Sequence, residues 1–171
     1  MKTLYLVRHA KSSWDNLSLA DFDRPLNKRG ERDAPEMGKR LALRNIKPQL
    51  MLSSPANRAY TTARKIAEAL RIPEKSIKTD EALFHADAQE ILKVIGRQDD
   101  AVESLMVFGH NPGFTDLVNF LKYDYNIDNL PTCGIVAFNI ETTSWKNIKK
   151  GKAEQLFFDY PKKVSENKFL S

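Results

Sequence analysis

A single cysteine, Cys133, occurs in 171 residues. That excludes an internal disulfide framework and a thiolate metal cluster. Seven glycines and eight prolines are too few for a collagen-like or linker-dominated chain. No apolar run approaches the ~18 residues that would span a membrane. Met1-Lys2-Thr3 leads straight into Leu4-Tyr5-Leu6-Val7, without the apolar region of ~7–15 residues and the small-residue cleavage site of a signal peptide; a cytoplasmic location is expected. Neither a P-loop, nor a dinucleotide fingerprint, nor a Gly-x-Ser-x-Gly elbow is present. The spacings His-x-His and His-Glu-x-x-His are missing too, so no metal site is expected. The lysines are scattered, without the aromatic-basic pattern of a nucleic-acid module. Histidine itself is scarce: the chain has His9, His85 and His110.

What remains is ordinary for a globular protein, with 42% hydrophobic and 29% charged residues. The length fits one domain over residues 1–171, given ~100–200 residues per domain. A net charge of +5 favours anionic partners over a neutral surface, although a mildly basic solvated exterior accounts for it equally.

Short apolar runs alternate with helical patterns. Leu4–Val7, Leu50–Leu52, Leu105–Phe108, Ile135–Phe138 and Leu156–Phe158 read as strands, and Ser76–Thr79 as a weaker one. Helices are expected from Ser54 as cap with Pro55 at the first position, and from Asn111 as cap with Pro112 following. Two more cover Gly30–Arg44, where Pro35 implies a late start or a kink, and Ala88–Ile95. The alternation implies an α/β fold: a three-layer α/β/α sandwich around a mostly parallel sheet.

Three of these strands end in polar groups. The first runs into Arg8-His9, the second into Ser53-Ser54 with Arg58 in the next helix, and the third into Gly109-His110-Asn111. In an open α/β sheet, ligands bind beyond the carboxyl ends of the strands. Helix N-termini favour anions there, and arginine presents a planar fork to phosphate oxygens. The pattern reads as a phosphate site containing imidazole. The competing role for His9 and His110 is a core histidine bonded to a backbone carbonyl; His85, in Phe84-His85-Ala86-Asp87, reads as a loop residue rather than a ligand. Lys11, Ser12 and Ser13 are candidates for the phosphate loop. Trp14 and Trp145 read as packing or rim residues, Cys133 as a core thiol, and Lys162, Lys163 and Lys168 as a frayed tail.

The blocks Leu6-Val7-Arg8-His9-Ala10, Asp23-Arg24-Pro25-Leu26-Asn27-Lys28-Arg29-Gly30, Ser53-Ser54-Pro55-Ala56-Asn57-Arg58 and Gly109-His110-Asn111-Pro112 together resemble the histidine phosphatase, or phosphoglycerate mutase-like, superfamily. The short chain and the Asp-Arg-Pro-Leu block are most similar to its SixA-like phosphohistidine phosphatase branch. The resemblance implies a phosphoglycerate mutase-like fold and a phosphatase without cofactor or metal. It implies His9 as the nucleophile that carries the phosphoryl group, Arg8 and Arg58 as the phosphate clamp, and His110 as the group stabilising transferred charge. Arg24 and Asn111 join the substrate-binding candidates. The implied partner is a phosphorylated protein or a small phosphate-bearing molecule, with no nucleic acid or membrane. The sequence does not define the oligomeric state.

Two departures matter. Ala10 stands where the family signature has glycine. The residue after the second histidine is Asn111, where the phytase-like branch places its acid, and the mutase-like branch uses an upstream Glu. Asp80, Glu81 and Asp87 are the carboxylate candidates, against the alternative of a solvated acidic loop. A small-molecule phosphomonoesterase and a non-catalytic phosphate-binding relative are the competing functions within the fold.

Overall fold

In the computed structural model, residues 1–122, 124 and 126–163 are described. Six strands, β1 (Lys2–Arg8), β2 (Leu50–Ser53), β3 (Lys78–Thr79), β4 (Ser104–Gly109), β5 (Ile135–Ile140) and β6 (Ala153–Asp159), form one sheet in the order β3-β2-β4-β1-β5-β6. The pairings β2–β3, β2–β4 and β1–β4 are parallel, and β1–β5 and β5–β6 antiparallel. The parallel majority follows the expectation, while the last two strands close the sheet by hairpin-like reversal. The apolar runs are strands because both faces are covered: Leu4, Leu6, Leu105, Val107, Val136 and Phe138 pack on one side, Val7, Met51, Met106, Phe108 and Ile135 on the other.

The helices α1 (Lys28–Leu43) and α2 (Asn57–Ala69) cover the second face, and α3 (Ala88–Gly96) and α4 (Gly113–Leu121) the first. In α1, Gly30, Ala34, Met37 and Leu41 recur at helical spacing on the buried side. Asn27 caps it, accepting from the Gly30 N–H. The helix therefore starts before Gly30 and runs through Pro35, which neither delays nor breaks it. Likewise α2 begins at Asn57 with Ala56 at the cap position, not at Ser54, because the Ser54 hydroxyl is used elsewhere. The strand expected over 76–79 shrinks to Lys78–Thr79, since Glu74–Ser76 forms a 3-10 turn. The final segment is docked, not frayed, as far as Lys163. Arg40 of α1 donates to Asp159 Oδ1 and to the carbonyls of Tyr160 and Pro161, and Lys163 Nζ reaches the Phe158 carbonyl. Lys168 lies outside the described residues. No helix among those residues is long and apolar enough to cross a membrane.

Candidate active site

The strands β2, β4 and β1 are adjacent and parallel, so Ser53, Gly109 and Arg8 end side by side. The backbone continues this alignment one residue further: the His9 N–H bonds to the Gly109 carbonyl and the Ser54 N–H to the Phe108 carbonyl, both at 3.0 Å. The three polar strand ends thus meet in one cleft of about 300 Å³, whose walls include Arg8, His9, Arg24, Arg58, His110 and Asn111. All six residues proposed from sequence are brought together.

The two imidazoles face one another with ring centroids 5.2 Å apart. His9 Nδ1 lies 2.7 Å from the Ala10 carbonyl. A carbonyl only accepts, so Nδ1 carries the proton and Nε2 keeps its lone pair. The two roles weighed for His9, core histidine and chemical group, are therefore compatible. His110 Nε2 meets the Ser54 hydroxyl at 2.8 Å. That hydroxyl also accepts from the Ala56 N–H, and its remaining lone pair and its proton let it pair with Nε2 in either tautomer of the ring. Nδ1 of His110 is buried and has no protein partner. Burial pushes both rings down to about 3; for His9 the Ala10 carbonyl opposes this, while His110, Arg58 and Arg8 add to it. Arg58 does the same to His110, helped by His85 and Arg8 and opposed by Asp21. Both histidines are neutral at pH 7.

The cations are held from behind. Arg8 donates to the Leu130 carbonyl at 3.0 Å. Arg24 bonds the Ser12 hydroxyl, and its guanidinium lies 3.4 Å from the centroid of the Trp14 ring. Arg58, on the first turn of α2, donates from Nη1 to the Asp21 carbonyl at 2.6 Å and from Nη2 to Asp21 Oδ2 at 3.1 Å. The Nε atoms of Arg8, Arg24 and Arg58 are buried without acceptors. A cleft with surplus donors and neutral imidazoles suits an anion. Thr62 of α2 ties the first loop in place, accepting from the Ala10 N–H and donating to the Arg58 carbonyl. Ala10 is itself fully buried against the core, where a methyl group has room.

Several expectations change in detail. Asn111 is not the cap of α4; Pro112 takes that position. The Asn111 side chain accepts from Thr115 N–H and Oγ1 and donates to Asn129 Oδ1 and the Leu130 carbonyl. Its donors and acceptor are used inside the protein, so it shapes the cleft wall. His85 does lie on a loop, at φ 59°, yet it also lines the cleft, 3.6 Å from Asp21 Oδ2. Asp80 and Asp87 are helix-capping residues, accepting from Ala82 N–H and Glu90 N–H, and Asp80 also pairs with Arg97 at 2.9 Å. Neither they nor Glu81 lines the cleft. Its carboxylate is Asp21, which sequence reading missed. The only signal was its place three residues before Arg24, just outside the block that starts at Asp23. Burial raises the Asp21 carboxyl, but the Arg58 guanidinium and its hydrogen bond, then Arg24 and His85, outweigh this and hold it below the usual carboxylate range. Cys133 is fully buried, and burial pushes its thiol up, consistent with a core thiol. Trp14 is an exposed rim residue, and Trp145 is buried with its indole N–H on the Val102 carbonyl.

A family model described as histidine phosphatase superfamily, branch 1, matches residues 4–91. An uncharacterised chloroplastic protein of Arabidopsis thaliana is 33% identical over 155 residues, covering 85% of this chain and 69% of its own length. The crystal structure assigned to phosphohistidine phosphatase SixA of Agrobacterium tumefaciens superposes with a TM-score of 0.77 at 26% identity, covering 94% of this chain and 98% of that one. A protein histidine phosphatase SixA in complex with tungstate gives 0.78 at 20% identity over 93% and 97% of the two chains, a likeness of fold.

Proposed function

The chain belongs to the histidine phosphatase superfamily, branch 1, and on that footing we propose that it hydrolyses protein phosphohistidine through a phosphoryl-enzyme on His9. Nε2 of His9 attacks phosphorus with its free lone pair, the bond to the leaving group breaks, and the new P–N bond holds the phosphoryl group. Water then attacks that phosphorus, releasing phosphate and restoring the imidazole. Arg8, Arg24 and Arg58 neutralise the phosphoryl oxygens, and His110, which lines the cleft with its ring 5.2 Å from that of His9, stabilises the charge that develops on them. Positioned cations and dipoles supply what such a transfer needs, and no step calls for a metal.

The observation that carries the choice of substrate is that, among the described residues, one carboxylate lines the cleft, Asp21, which two arginines hold ionised. An alkyl phosphate expels an alkoxide and needs an acid to protonate it. A phosphohistidine whose far ring nitrogen carries a proton expels neutral imidazole and needs none. The rim supports a protein substrate. Of seven exposed large hydrophobic side chains among the described residues, Trp14, Leu17, Leu19 and Phe22 fall within residues 14–22, the segment that contributes Trp14 and Asp21 to the cleft. Apolar surface there suits the flank of a docked protein.

The test is a comparison of kcat/KM on a phosphohistidine-bearing protein and on alkyl phosphates, with and without EDTA, together with trapping of an acid-labile phosphoryl group that His9→Ala cannot form. The expected result is preference for the phosphoramidate, unchanged by chelation. Preference for an alkyl ester, lost when Asp80, Glu81 or Asp87 is changed to Ala, would overturn the substrate assignment.

A further inference from the structure

The two outer nitrogens of Arg58 both face Asp21, one on its backbone carbonyl and one on its carboxylate. Together the two contacts use up the guanidinium fork that a phosphate would grip in bidentate fashion. Asp21 also lies 3.5 Å from Arg24 and 3.6 Å from His85. Its carboxylate therefore sits among the groups that line the anion cleft, as an internal anion. We infer that Asp21 is a built-in competitor for the phosphate site: it occupies the Arg58 fork in the free protein, yields it when a phosphoryl group enters, and reclaims it as phosphate leaves. The inference rests on reading this cleft as a phosphate site.

The two partners are unequal in a way that suits exchange. The Arg58 side chain is 6% exposed and fixed on α2, whereas that of Asp21 is 41% exposed and stands on a short 3-10 turn, Asp21–Asp23, with no buried residue. The turn moves more cheaply than the helix. Two costs fall on an entering dianion: breaking the Asp21–Arg58 pair, and repulsion from a carboxylate a few ångströms away. Substrate with further contacts meets these costs more readily than free phosphate does. The arrangement thus weakens product inhibition and selects for a phosphoryl group carried on something larger.

A purely structural role for Asp21, holding Arg58 in its binding pose, predicts the opposite sign, so oxyanion affinity decides between them. Inorganic phosphate and tungstate binding to the intact chain are measured by titration calorimetry, with thermal melts as the folding control. Asp21→Asn keeps the shape and removes the charge; it is expected to bind both anions at least about fivefold more tightly, the scale set by losing one partly exposed charge pair. Asp21→Ala shifts the same way, and Asp21→Glu stays close to wild type. The tighter variants show KM and kcat falling together once phosphate release becomes slow. Unchanged or weaker anion binding in folded Asp21→Asn overturns the inference while leaving the phosphate site standing. No binding by the wild type or any variant overturns the phosphate-site reading itself.

Discussion

Two neutral, buried imidazoles in contact make the protein's stability sensitive to mild acid. His9 and His110 are each held at about 3 in the folded state, burial being the main cause, against ~6.5 in an unfolded chain. Above pH ~6.5 both states leave the rings neutral, and the contribution to stability is complete. As pH falls from there towards 3 the unfolded chain takes up protons that the folded chain refuses, so stability is lost; below about 3 the loss levels off. At pH 5 each ring costs about 2 kcal/mol relative to neutral pH, and the pair about 4, a large part of the ~5–15 kcal/mol of a typical domain. Urea unfolding at pH 7.0, 6.0 and 5.0 measures this directly, in a window that most carboxylates do not reach. Wild type is expected to lose midpoint steadily across the series. The double variant His9→Asn/His110→Gln, which keeps His85, is expected to lose much less. Equal pH slopes in the two proteins, or a flat wild-type profile, would refute the reasoning.

Three other outcomes follow from the site. Arg8→Ala and Arg58→Ala should each remove ~2–4 kcal/mol of transition-state stabilisation, read as a fall in kcat/KM of roughly 30- to 1,000-fold; near-wild-type kinetics in both would remove the clamp. Ser54→Ala takes the partner from His110 Nε2, and should cost ~1–3 kcal/mol in urea unfolding for the unsatisfied ring nitrogen, with a parallel drop in kcat. Gly30→Ala would place a methyl carbon 2.2 Å from the Lys11 carbonyl oxygen; α1 or the loop at Lys11–Ser12 must shift, so both the melting temperature and phosphate affinity should fall, and an unchanged affinity would detach that loop from the site.

Much of the cleft was legible because of where parallel strands end. Arg8, His9, Ser53 and His110 follow apolar runs that had to be buried on both faces, and neighbouring parallel strands deliver such groups to one edge. β6 was harder to bound: its residues alternate between buried, half-buried and exposed at the sheet edge, and only Leu156–Phe158 stands out in sequence. Helix starts were misjudged where a side chain served the site instead of the backbone. Ser54 resembles a cap, but His110 claims its hydroxyl; Asn111 resembles a cap, but it fastens α4 to the 129–130 segment. Asp21, His85 and Thr132 reach the cleft from loops, and no local periodicity says where a loop will lie. The acid candidates Asp80 and Asp87 have the opposite history: their type and position suited chemistry, yet their carboxylates close the first turns of helical segments.

The antiparallel return of β5 beside β1 has a consequence for when the protein becomes competent during synthesis. His9, His110 and Arg58 are all encoded by residue 110, but the carbonyl that holds Arg8 belongs to Leu130, and the Cys133 N–H closes on the His9 carbonyl. A ribosome that has exposed only the first four strands presents His9 on a sheet edge with Arg8 unanchored. The clamp is completed when β5 zips along β1, a contact spanning more than 120 residues, and pairings of that separation form late because loop closure precedes their reward. The His9 imidazole is thus assembled among the arginines of the cleft only after most of the chain has emerged, so a nascent or truncated chain carries it without the setting on which the proposed chemistry depends.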